Sequence, residues 1–263
     1  MWQYALSLFV AALLFGSPAY VDAQRGGQAQ PPRTAREQAV FDPTGYWVSV
    51  ITEDWRWRML TAEKGSYPAI PLNAEGRRVA DQWDPARDRA DGNACKAYGA
   101  GNIMRMPTRL HVTWEDENTL RIDTDAGMQT RRFHFRGSPP RGAERTWQGY
   151  SVAQWEAVGG RGGVPRGGNL KVTTTGMRAG YLQRNGVPYS EDAVVTEYFH
   201  RAQVPGGDTW LIVTTLVDDP RYLASQPGGG LPDSDQVGPL IRSSNFKREP
   251  DGAKWNPTPC EVK

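Results

Sequence analysis

A carboxylate in an otherwise apolar strand face is the most chemically suggestive feature of this chain. Residues 193–201 read AVVTEYFHR; Glu197 shares parity with Val195 and Phe199, and Tyr198 falls on the other side beside Thr196. A glutamate turned into a protein interior needs an arginine or a ligand amine, because an unpaired buried carboxylate is costly. Arg56, Arg58 and Arg201 are the candidate partners. Paired, Glu197 is a structural residue. Presented to a substrate, it is a candidate catalytic general acid or base, with Tyr198 or an arginine stabilising charge.

The second constellation is Glu53-Asp54-Trp55-Arg56-Trp57-Arg58-Met59. Read as a strand, it puts Trp55 and Trp57 on one face and Arg56 and Arg58 on the other. That pattern suits a clamp for an aromatic or anionic ligand, through ring stacking and bidentate guanidinium contacts. The same pattern also describes a core face backed by solvated arginines. Trp55, Arg56, Trp57, Arg58, Glu197 and Tyr198 are therefore the candidate ligand-binding set.

Two other chemistries are set aside. Gly149-Tyr150-Ser151-Val152-Ala153 half-matches the G-x-S-x-G nucleophile elbow, but Ser151 sits inside an alternating β run rather than between a strand and a helix. The three histidines, His111, His134 and His200, could supply a zinc site only by convergence of three strands, and His111 and His134 lie on arginine-rich faces that disfavour a cation. No metal site and no cofactor is implied.

The elements that must position these residues are strands. Residues 193–201 and 209–217 are dense in β-branched and aromatic residues and flank Pro205-Gly206, which predicts a long antiparallel hairpin. Both parities of 210–217 are apolar, which predicts a central strand. Leu110, Val112 and Trp114, then Leu120 and Ile122, then Phe133 and Phe135 alternate with polar residues and predict a three-strand meander. Further strands are expected at 147–156, 169–175 and 241–247, and a first strand at 48–51. One short helix is expected over 74–83, capped by Asn73 and ended by Asp84-Pro85, with a loop over 86–92. Residues 158–168 and 228–239 read as loops.

Compartment follows from the ends and the cysteines. Residues 1–23 have an apolar core too short for a bilayer and end in Val21-Asp22-Ala23, which predicts a signal peptide. Residues 24–40 are Gly-, Pro- and Gln-rich and read as a flexible tether, leaving 41–263 as one β domain. No later stretch is apolar enough for a membrane helix. In an exported chain the only two cysteines, Cys95 and Cys260, are expected to form a disulfide. With 31 Lys+Arg against 29 Asp+Glu, no global field points to nucleic acid.

The start Gly45-x-Trp47 resembles the opening of the first strand of lipocalin-type barrels. Further motifs occur in order: Trp147-x-Gly149-Tyr150-Ser151-Val152-x-x-Trp155-Glu156, Leu170-Lys171-Val172-x-Thr174, Asn185-Gly186-x-Pro188-Tyr189-Ser190, Glu197-Tyr198-Phe199-x-Arg201 and Asp218-Asp219-Pro220-x-Tyr222. As an ordered set they resemble a group of secreted bacterial proteins described as hypothetical. That resemblance implies export and a β-rich domain and carries no activity. Residues 228–239 depart from the group's pattern.

The sequence thus predicts an all-β, antiparallel, up-and-down lipocalin-like barrel of about eight to ten strands with one short helix, secreted or periplasmic. The leading function is a binding module whose barrel mouth takes a small hydrophobic or aromatic ligand. An enzyme of the same fold using Glu197, and a structural or partner-binding envelope protein, are the alternatives.

Overall fold

The computed structural model describes residues 33–159, 166–224, 226–227 and 237–262. The expected signal peptide, residues 24–32 of the tether, and positions 160–165 and 228–236 of the two loops lie outside the described residues.

Nine strands close a barrel: β1 (Gly45–Val50), β2 (Arg109–Asp116), β3 (Thr119–Thr124), β4 (Thr130–His134), β5 (Tyr150–Val158), β6 (Gly167–Thr175), β7 (Val194–Gln203), β8 (Thr209–Asp218) and β9 (Leu240–Glu249). Each pairs with its neighbour in sequence, and β9 returns to β1. The expected hairpin is β7–β8, in register from Thr209↔Gln203 to Asp218↔Val194, and β8 is flanked on its other side by β9.

The meander fails at one point. β4 and β5 are parallel, with Phe133 opposite Ser151 and His134 opposite Val152. Directions cannot alternate all the way around a ring with an odd number of strands, so nine strands force one such pair. The Pro/Gly/Arg connection over 135–149 supplies the return, carrying the chain back to the end from which β4 began.

All helices of the described chain lie at one end of the barrel, in the insertion between β1 and β2. The stretch expected as a strand with Trp and Arg faces is instead a short helix, α1 (Trp55–Met59), entered through Asp54 at φ 51°. Asp tolerates the left-handed region, and the turn it makes lets Trp57 and Arg58 N–H donate to Asp54 O. The helix expected after Asn73 is α2 (Ala74–Asp81), and Asn73 Oδ1 accepts from Gly76 N at 2.8 Å. The expected loop at 86–92 holds a third helix, α3 (Pro85–Ala90). Asp84-Pro85, read as a terminator, also starts it: Asp84 Oδ1 caps Ala86 and Arg87 N–H, and proline at the first helical position loses no bond.

Residues 33–40, expected within the flexible tether, are ordered against the barrel. They fold against the opposite, open end, where Ala35 N donates to Asn118 Oδ1 (3.1 Å) and Ala35 O accepts from Trp155 Nε1 (2.8 Å). Short polar stretches look tether-like in composition; here two side chains of the barrel rim satisfy its backbone.

The interior is filled in layers. Phe133, Phe199, Leu170, Val172, Leu211, Val213 and Phe246 belong to a cluster in the upper barrel with buried Trp47, over whose ring Arg248 lies at 5.4 Å. Tyr189, Leu182, Val195, Val217 and Leu240 form a second cluster towards the helices. The disulfide Cys95–Cys260 (Cα–Cα 5.1 Å) ties the C-terminal segment to the helical insertion, across 165 residues of sequence.

Candidate functional site

Between the two apolar clusters lies a polar layer, and Glu197 is its centre. Its carboxylate is fully buried and forks with the guanidinium of Arg131, also buried: Nη1 to Oε1 at 3.0 Å and Nη2 to Oε2 at 2.6 Å. Arg131 Nη2 also donates to Thr174 Oγ1 (3.3 Å), which bonds Ser151 Oγ at 2.7 Å. The sequence signal for this partner was present: Arg131 shares inward parity with Phe133. The partners considered, Arg56, Arg58 and Arg201, do not reach it. Tyr198 faces outward, with Lys171 Nζ 5.6 Å from its ring centre, so Glu197 and Tyr198 form no common site.

Helical geometry separates the tryptophan-arginine set. Trp55 is 61% exposed and Arg56 is exposed, Trp57 is half-buried and Arg58 is 4% exposed. Arg58 turns under α1, donating from Nη1 to Glu53 Oε1 (2.7 Å) and from Nε to Arg105 O (3.0 Å). Burial, then the charge of Arg105, lowers its pKa to about 10. Trp57 and Arg58 line a narrow cleft of about 20 Å³ with Arg105, Gln183 and Arg184. Glu197 and Tyr198 are not part of it. Sequence reasoning therefore joined residues that the fold places in four locations.

The open end carries a larger cavity that the sequence did not single out. It measures about 190 Å³ and is walled by Phe135, Trp155 and Ala153, with Gln38, Asn118, Arg136 and Gln154 supplying polar groups. Phe135 and Trp155 stack with centroids 5.6 Å apart, Trp155 meets Phe41 edge-on at 5.3 Å, and Trp114 lies 5.6 Å from Phe135. Trp114 lies near the end of β2, Phe135 one residue past the end of β4 and Trp155 in the second half of β5, each on the inward parity of its strand, so the alternation that builds the core also carries aromatic side chains out to the rim. Parity would have found Trp114, Phe135 and Trp155 as one rim, had strand ends been weighed as well as centres.

The histidines are dispersed on the outer wall. His111 stacks on Tyr46 (4.2 Å), His134 on Tyr150 (4.6 Å), and His200 Nδ1 lies 3.2 Å from Asn169 Oδ1. Burial and the charge of Arg132 hold His134 below the ordinary imidazole range. Among the described residues no group of three His, Cys, Asp or Glu side chains is placed to hold a metal ion.

Comparison with family models, with curated proteins and with solved structures finds no match for this chain.

Proposed function

We propose that this is an exported small-molecule-binding barrel whose open mouth takes a single-ring aromatic ligand bearing a carboxylate or amide. The observation that carries the reading is the 190 Å³ cavity with Phe135 and Trp155 on its wall. A cavity of about 150 Å³ is enough for a benzene ring, whereas drug-sized ligands need roughly 300 Å³ or more. Arg136, Gln38, Asn118 and Gln154 set the polar end of the ligand: one guanidinium and three carboxamides suit a carboxylate or an amide.

Export is supported by the disulfide, which persists in oxidising compartments. Among the described residues no helix is long and apolar enough to cross a membrane. The enzyme alternative built on Glu197 loses its support, because a fully buried carboxylate with both oxygens held by Arg131 has no face left for a substrate.

The test is calorimetric titration with benzoate and benzamide. Saturable binding is expected for both, with Trp155→Ala weakening both and Arg136→Gln weakening benzoate selectively. Absence of saturable binding, or affinities unchanged in both variants, would sink the proposal.

A further inference from the structure

The helical end of the barrel carries an imbalance of charge. Arg58, Arg105 and Arg242 are buried and Arg184 is half-buried. Arg58 is paired with Glu53, and Arg105 Nη2 reaches Asp54 Oδ2 at 2.6 Å. Among the described residues Arg184 Nη2 donates to Arg58 O (2.9 Å), and Arg242 uses Nη1 and Nη2 on the carbonyls of Leu182 and Gly101. Four guanidinium groups thus meet two carboxylates among the described residues, an excess of two positive charges. Burial, with the charges of Arg105 and Arg58 behind it, lowers Arg242 to about 9. Guanidinium groups stay protonated in proteins, so the surplus charge gains from an anion.

Two polar atoms on the cleft residues are also unmatched. Arg58 Nη2 and Gln183 Oε1 are buried and have no hydrogen-bond partner among the described residues. Both residues line the 20 Å³ cleft beside Trp57, Arg105 and Arg184. A buried guanidinium N–H without an acceptor is expensive, and the cleft is where an acceptor would sit.

We infer that this cleft binds a tetrahedral oxyanion of the phosphate class. Phosphate oxygens accept from guanidinium forks in charge-assisted bonds, which answers Arg58 and the surplus charge. A singly protonated phosphate also carries one O–H donor, which answers Gln183 Oε1; sulfate has none. The enclosed part of the cleft has room for roughly one or two waters, so it seats one or two oxygens of the anion, whose remainder stays towards solvent, and it excludes an aromatic ring. The site lies at the opposite end of the barrel from the aromatic mouth and does not depend on it.

Inorganic phosphate, sulfate, acetate and glycerol 3-phosphate are titrated into the oxidised mature protein in phosphate-free buffer, with calorimetry and phosphorus NMR line broadening as readouts. Saturable phosphate binding is expected, tighter than sulfate or acetate. Arg184→Met, which breaks no ion pair, should weaken it roughly tenfold or more, and Arg58→Lys should do so by removing the fork. Trp155→Ala should leave it unchanged. Binding of glycerol 3-phosphate alongside phosphate identifies the phosphoryl end of a metabolite; its failure identifies free phosphate. The inference is overturned if neither phosphate compound binds saturably, if Arg184→Met leaves the affinity unchanged, or if sulfate binds as tightly as phosphate. Should Arg58→Lys fail to fold, Arg184→Met decides alone.

Discussion

Replacing Glu197 by Gln should destabilise the barrel severely. Both side chains of the Arg131–Glu197 pair have 0% exposure, and two fork bonds of 3.0 and 2.6 Å hold them. Glutamine retains one acceptor but leaves the Arg131 charge buried without its counter-charge. Removing one partner of such a pair costs about 3–5 kcal/mol. Removing both with apolar groups of similar volume is different: Arg131→Met with Glu197→Leu should fall within about 1–2 kcal/mol of the parent, because no charge is then stranded. Thr174 keeps its bond to Ser151 in either case. Urea unfolding of the oxidised protein, followed by tryptophan fluorescence with m-values compared, separates a stability change from a change in denatured-state compactness. A loss of less than about 1 kcal/mol in Glu197→Gln at unchanged m would refute the reasoning, since it would require solvent to reach the pair.

Other consequences are as direct. Gly186→Ala should destabilise strongly, because Gly186 sits at φ +87° and an added Cβ would lie 2.2 Å from Trp83 Cβ; a fall in thermal midpoint relative to Gly206→Ala, where the space is open, checks it. Replacing both Cys95 and Cys260 by Ser should cost about 2–5 kcal/mol, read from the same urea curves. His134 is held below 6.5, so the folded state takes up its proton only at lower pH than the unfolded state does. Its contribution is therefore present above 6.5 and is lost as pH falls through the depressed folded value, and His134→Gln should flatten the stability profile in that acidic window.

Much of the barrel could be read from alternation alone. The β7–β8 hairpin, the inward sets of β2 to β4 and the Asn73 cap are all local patterns, and local patterns survive into the fold. Ring closure is not local: the parallel β4–β5 pair follows from the count of nine strands, which no single stretch reveals. Trp55 to Arg58 misled because alternating Trp and Arg satisfies period two, while the positive φ at Asp54 starts a helix that the pattern does not announce. Both parities of 210–217 are apolar because β8 is central, flanked by β7 and β9, with Trp210, Ile212 and Leu216 half-buried on the barrel wall. Glu197 is legible as a buried carboxylate, and its partner Arg131 shares the inward parity of Phe133 in a strand whose other charged positions, Arg132 and His134, face outward.

The mouth site is tested most directly by a crystal structure of the oxidised protein grown with benzoate. The account predicts the ring against Phe135 and Trp155 with its carboxylate towards Arg136. A mouth without benzoate at saturating concentration, or benzoate bound elsewhere on the barrel, would contradict it.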